Sequence, residues 1–124
     1  MKVIVNKLKK NAVIPTLNKV DSYDIYACMD THFVTIEPGK SELISTGLQL
    51  IIPEGYVGLV ISRNGLAARR GLRIASGSMI VESDVELVIP IHNDSYDYMT
   101  VENGFKIAKL VLIKNSEIEF EVNE

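Results

Sequence analysis

Ser62-Arg63-Asn64-Gly65-Leu66-Ala67-Ala68-Arg69-Arg70-Gly71-Leu72 opens the stretch that decides how this chain is read. It continues to Ile80-Val81-Glu82-Ser83-Asp84-Val85-Glu86 and ends in the apolar run Leu87 to Ile91, followed by His92-Asn93. Arg63 stands directly before Asn64-Gly65, a pair that reads as a turn with exposed backbone N–H groups. Glu82, Asp84 and Glu86 alternate through a segment that reads as a strand. A guanidinium with free amides, followed by a group of carboxylates, suits a phosphorylated ligand that carries Mg2+. The one helix-forming run, Gly65 to Arg70, is long enough for a turn or two.

Outward from this stretch, apolar segments are short, β-branched and separated by turn residues. Met1 to Val5 reads as a strand, and Asn6 to Asn11, with Lys7, Lys9 and Lys10, as a solvated edge. Ala12 to Leu17 holds Pro15, which confines it to an edge or a bend. Asp21-Ser22-Tyr23-Asp24 reads as a turn before a short strand at Ile25 to Cys28. Phe33 to Ile36, Glu42 to Thr46, Leu48 to Ile52 and Tyr56 to Ile61 follow, with Glu37-Pro38-Gly39-Lys40 and Pro53-Glu54-Gly55 as turns. Met99 to Val101 leads into Glu102-Asn103-Gly104, which reads as a hairpin turn before Phe105 to Ile113. Ile118-Glu119-Phe120-Glu121-Val122 alternates strictly, as a half-exposed strand does. About ten short strands at regular spacing predict an all-β sandwich or barrel of jelly-roll type. Residues 1–124 form one domain on this reading, large enough for a core without disulfides or metals.

The net charge of −3 excludes general attraction to nucleic acid, so a bound anion needs a local cationic pocket. The single cysteine, Cys28, excludes an internal disulfide and a cysteine-built metal site, which fits a reducing cytoplasm. No run approaches the ~20 apolar residues of a membrane span, and none resembles a signal peptide. These features predict a soluble, cytoplasmic protein that binds neither membrane nor nucleic acid.

Several segments together resemble the trimeric dUTPase family. Asp21-Ser22-Tyr23-Asp24-Ile25-Tyr26-Ala27 is similar to its first motif, AGYDLYA. Thr46-Gly47-Leu48 and Pro53-Glu54-Gly55-Tyr56 fall where the family has TGL and PxGY. Arg63-Asn64-Gly65-Leu66-Ala67 is similar to the second motif, RSGLA, and Val81-Glu82-Ser83-Asp84-Val85 to the third, IDSDY. Asn103 to Val111 is similar to the fourth, GDRIAQLV. The resemblance implies a β-rich subunit of the distorted jelly-roll, or β-clip, kind, a homotrimer, and active sites shared between subunits. It implies hydrolysis of dUTP to dUMP and pyrophosphate, with Mg2+ carried on the phosphates rather than held by the protein directly. By position, Arg63 contacts phosphate, the amides of Asn64 and Gly65 help to cradle it, and Asp24 supports that side. Glu82 takes the place of the water-activating aspartate, with Asp84 beside it. Val85 takes the place of the tyrosine over the deoxyribose, and Lys109 that of the motif-four glutamine. A compact chain of this kind suits a virus or phage.

The departures carry their own expectations. Glu82 is one methylene longer than the family aspartate, and a displacement of ~1 Å costs about 100-fold in rate. The third motif is followed by a segment two residues short of the usual pattern. Placing that gap earlier puts Ile80, which has no ionisable group, at the catalytic position; the acid-Ser-acid order favours Glu82. The family's Gly-rich, arginine-containing tail has no counterpart up to Glu124, which predicts reduced turnover. Together these leave a second reading open, a nucleotide-binding trimer that acts as a sink, a regulator or an inhibitor of a protein partner. A dCTP deaminase of the same superfamily needs a glutamate between Leu87 and Asn93, where no acid stands.

Overall fold

The computed structural model describes residues 1–19 and 21–124, with Ala68 described by its backbone alone. In chain order its elements are β1 (Ile4–Lys7), β2 (Thr16–Asn18), β3 (Ser22–Tyr26), β4 (Phe33–Ile36), β5 (Ser41–Ser45), β6 (Leu48–Ile51) and β7 (Tyr56–Ile61). Then come α1 (Asn64–Arg70), β8 (Leu72–Ile74), β9 (Ser78–Ile80), β10 (Val88–Asn93), β11 (Met99–Glu102) and β12 (Lys106–Lys114). The fold is all-β apart from that one helix, as the strand spacing implied. Among the described residues no helix is long and apolar enough to cross a membrane.

Five strands form the main sheet in the order β2-β3-β12-β7-β9. A three-stranded sheet runs β5-β10-β8, and β1-β6 and β11-β4 make two-stranded ribbons. Every pairing is antiparallel. Side chains alternate between the two faces of a strand, and β10 shows the result. Ile89, Ile91 and Asn93 are buried, while Val88, Pro90 and His92 are half-buried. Ile25, Ile36, Ile44, Leu48, Ile74 and Ile107 are among the fully buried side chains of a single core. Burying each contributes about 1.5–3 kcal/mol, and the branching of the isoleucines at Cβ suits the pleated backbone.

Asn64-Gly65 does not form an isolated turn. Arg63 is extended (φ −83°, ψ 123°) and caps α1, whose first residues are Asn64 and Gly65. The helix ends because Gly71 takes φ +69° and returns its amide to the carbonyls of Ala67 and Leu66. A Cβ there would meet the Ser95 backbone nitrogen at 3.0 Å.

Other expectations are corrected. The first strand starts at Ile4 and runs on to Lys7, because its partner β6 pairs Ile4 with Ile51 through Lys7 with Leu48. The segment from Asp21 to Asp24 is a turn only at Asp21. Ser22 and Asp24 lie within β3, where Asp24 is held between Thr16 of β2 and Lys109 of β12. The acids Glu82, Asp84 and Glu86 do not lie on a strand, since β9 pairs with β7 and β10 with β5 and β8. The chain between them crosses from one sheet to another and turns at residues 83–84. Glu102 to Phe105 does turn, with the Phe105 amide 3.1 Å from the Glu102 carbonyl. It makes no hairpin, because β11 pairs with β4 while β12 pairs with β3 and β7. Ile118 to Val122 is not a strand either. Ile118, Phe120 and Val122 are exposed, and that segment has no strand partner among the described residues.

Candidate functional site

Three distant parts of the sequence meet at Asp24. Its side chain is almost fully buried on β3 and accepts a hydrogen bond from Asn18 Nδ2 at 3.1 Å. Arg63 Nε lies 3.4 Å from one carboxylate oxygen and Lys106 Nζ 3.5 Å from the other. Arg63 Nη1 donates to the Lys106 carbonyl at 3.3 Å. Arg63 Nε is shielded from solvent but makes no hydrogen bond, so its tie to Asp24 is coulombic contact rather than a directed bond. The guanidinium is thus held from behind by a buried anion while its Nη2 has no partner among the described residues. Lys109 is half-buried on β12, directly opposite Asp24 on one side and Ile61 on the other. Arg70 sits 5.3 Å from the centre of the Phe105 ring, a cation–π distance. The cluster is a cationic face built from the loop after β7, the start of β12 and the carboxylate of β3.

The acids occupy a separate place. Glu82, Asp84 and Val85 are exposed in the crossing from β9 to β10, and Glu86 is half-buried. Met79, Ile80, Glu82, Val85, Glu86, Leu87 and Val88 line a groove of about 210 Å3. Ile80 closes β9 opposite Leu59 and is itself exposed. Val81 bonds Gly58 near the start of β7, whereas Arg63 follows the end of that strand, so the length of β7 separates Glu82 from the cationic face within one chain. A larger cavity of about 550 Å3 lies elsewhere, between apolar residues that include Val3, Ile14, Leu110 and Leu112. It contains no residue of either cluster.

A third constellation lies on β10. Ser41 Oγ is 2.7 Å from His92 Nδ1, and His92 Nε2 is 3.4 Å from Asp94. The order resembles a nucleophile triad, yet Arg73 Nε binds the same carboxylate at 2.6 Å, and Ser41 lines neither cavity. The bond from Arg73 lowers the pKa of the Asp94 carboxyl from its ordinary value, against an opposing effect of desolvation and with further help from the Arg73 and His92 charges. A depressed folded-state value means stability that is present above the unfolded value and lost as pH falls through the folded one. Asp94→Asn should therefore lower the melting temperature near neutrality, with the gap to the parent closing as pH falls, which flattens the acid side of the profile. Melting curves between pH 3 and 7 check this, and an unchanged acid limb counts against it.

Of the residues singled out in the sequence, Asp24, Arg63 and Lys109 come together, with Asn64 and Gly65 next to them at the start of α1. Glu82, Asp84 and Val85 share the second place. Sequence reasoning missed Lys106, although it falls where motif four of the family carries an arginine. It also missed Lys9, which lies in the supposed solvated edge. Its ammonium donates to the Cys28 carbonyl and to Ser45 Oγ, both at 3.0 Å, and pairs with Asp30 at 3.2 Å. Among the described residues no three of His, Cys, Asp and Glu converge as a metal cage. Asp24 is already committed to two cations and an amide. This donor set suits a cation brought in on phosphate oxygens.

A cationic face on an all-β subunit, with an acid-bearing loop apart from it, suits a class of protein that handles a phosphorylated ligand. Comparison with known proteins narrows the class. The family model described as dUTPase matches residues 10–124. The deoxyuridine 5'-triphosphate nucleotidohydrolase of Leptospira interrogans is 33% identical, over 98% of this chain and 86% of its own. That of Acinetobacter baylyi is 30% identical, over 98% and 83%. Among solved structures, a mutant dUTPase from phage phi11 of S. aureus, in which a structural Mg(II) ion is coordinated, superposes with a TM-score of 0.86. It is 25% identical and is covered over 97% of its length by all of this chain. The dUTPase of Staphylococcus bacteriophage 80alpha gives 0.85 at 27% identity, covering 99% of this chain and 96% of its own. The chain belongs to the dUTPase family.

Proposed function

We propose that this protein is a dUTP diphosphatase, hydrolysing dUTP to dUMP and pyrophosphate in a homotrimer. The observation that carries the reading is the meeting of Asp24, Arg63 and Lys106, because these fall in the family's first, second and fourth motifs. Arg63 and Lys106 supply positive charge to the triphosphate, with Lys109 beside them and the first amides of α1, at Asn64 and Gly65, as additional donors. Asp24 fixes the Arg63 guanidinium so that its open edge faces the ligand. Bound Mg2+, held on phosphate oxygens, neutralises charge on the triphosphate and on the leaving pyrophosphate. Glu82 takes a proton from the water that attacks phosphorus, and Asp84 supports the negative character of that loop. Val85 faces the sugar.

The separation of Glu82 from the cationic face favours a site completed by a second copy. A groove of about 210 Å3 is also smaller than the usual 300–1,000 Å3 of a site for a molecule of nucleotide size. The alternative of binding without turnover is not favoured, since the relatives, matched over 86% and 83% of their lengths, are named as nucleotidohydrolases.

The test is pyrophosphate release from dUTP, dCTP, dTTP and UTP in excess Mg2+. Release is expected to be fastest with dUTP; none from dUTP would sink the reading. Val85→Tyr, which restores a ring against the sugar, should widen the preference for dUTP over UTP on the order of ten-fold. An unchanged ratio would show that Val85 does not face the 2' position.

A further inference from the structure

The Glu82 side chain makes no hydrogen bond or ion pair among the described residues, so its placement is inherited from the backbone of its loop. That loop is fastened on both sides of the acid. The Val81 amide donates to the Gly58 carbonyl at 2.8 Å, and the Ile52 amide donates to Ser83 Oγ at 3.0 Å. The Leu87 amide donates to the Leu48 carbonyl at 2.7 Å, and Thr46 Oγ1 donates to the Leu87 carbonyl at 2.6 Å. Between these, Glu86 turns inward while Glu82 and Asp84 face solvent. One oxygen of Glu86 accepts bonds from Ser45 Oγ and from the Gly47 amide, the latter at 2.9 Å. Ser45 Oγ in turn accepts from the Lys9 ammonium. The hydroxyl is therefore polarised between a cation and an anion, which strengthens both bonds.

Gly47 makes the arrangement sterically feasible. It takes φ +68°, and a Cβ there would meet Ala12 Cβ at 3.0 Å and Lys9 Cβ at 3.1 Å. The Leu8 amide also donates to the Gly47 carbonyl at 2.7 Å. The segment carrying Lys9 is thus packed against the same turn that binds Glu86.

We propose that Glu86, backed by Ser45 and Lys9, is a positioning residue for Glu82, setting the direction in which the loop presents that carboxylate. The proposal rests on the reading of Glu82 as the group that activates water. Its chemistry requires only that the loop be rigid, because a misplacement of ~1 Å can cost about 100-fold in rate.

The experiment compares Glu86→Ala, Glu86→Gln, Lys9→Met and Glu82→Gln with the parent trimer. It reads amide hydrogen exchange along residues 81–87, and kcat and KM for dUTP. Glu86→Ala should raise exchange in the loop about ten-fold or more, with β7 and β10 still protected. Its kcat should fall at least about ten-fold with KM little changed. Glu86→Gln keeps an acceptor oxygen and should recover most of both losses. Lys9→Met should lie between the two. Glu82→Gln should lower kcat without touching the exchange pattern. Loop exchange like that of the parent in Glu86→Ala overturns the proposal. So does protection lost equally from β7 and β10, or a defect confined to KM. If Glu86→Ala does not fold, Glu86→Gln and Lys9→Met decide by the same readouts. If the parent releases no pyrophosphate, the reading of Glu82 fails, while exchange still decides whether Glu86 holds the loop.

Discussion

Replacing Glu82 by glutamine will lower pyrophosphate release from dUTP by about 10²- to 10⁴-fold, the range over which a positioned general base contributes. Nucleotide affinity, measured by calorimetry, should hardly move. The two outcomes separate because the proposed phosphate-binding face lies elsewhere, where Arg63 and Lys106 flank the buried Asp24. Glutamine preserves the length of the side chain and its exposure in the loop. It removes the negative charge and with it the ability to take a proton. A weakened Kd with unchanged kcat would assign Glu82 to binding. Unchanged values for both would remove it from the site and return attention to the alignment that places Ile80 there.

The second large effect concerns the tail. Ile118, Phe120 and Val122 are 73%, 88% and 83% exposed, while the residues between them are acidic. That alternation is the pattern of a strand with one apolar face, yet the single chain offers it no partner. Burying the three side chains on another copy would contribute roughly 1.5–3 kcal/mol each, and a trimer does this three times. Phe120→Asp should therefore convert the trimer to single 13.8 kDa chains in light scattering. Glu119→Ala, on the opposite face, should leave it assembled. Loss of assembly should also abolish turnover, since the loop of Glu82 would have no cationic face to meet. A Phe120→Asp protein that still scatters as a trimer would show that the tail takes no part in assembly.

Much of the fold was legible because period-two burial needs only local information. Tyr56 to Ile61 and Phe33 to Ile36 were read with their observed bounds, and the short helix to within one residue. What failed depended on partners. Asp24 reads as a turn residue because a buried strand acid is rare; Arg63 and Lys106, far along the chain, make its burial tolerable. Glu82, Asp84 and Glu86 alternate as a strand would, yet the sheets on either side leave no edge for them to join. Asn103 marks a turn, but its amide side chain donates to the Met29 and Thr31 carbonyls and its oxygen accepts from the Met29 amide. That anchoring points the turn away from a hairpin. Lys9 reads as a solvated lysine because nothing local signals Ser45. The candidate site was readable through its motifs, while the supports behind it were not.

β12 sits between β3 and β7 in the main sheet, and it is the last strand of the chain to be made. During synthesis, the β2-β3 half and the β7-β9 half can form, but nothing joins them until residue 114 has left the ribosome. Such late, long-range closure is slow and leaves apolar strand edges open meanwhile. Lys106 and Lys109 arrive on that same final strand, flanked by Asp24 and by the segment leading to Arg63. A nascent chain therefore has no complete cationic face around Asp24, and if that face holds the triphosphate as proposed, the capacity to do so arises in the same step that closes the sheet.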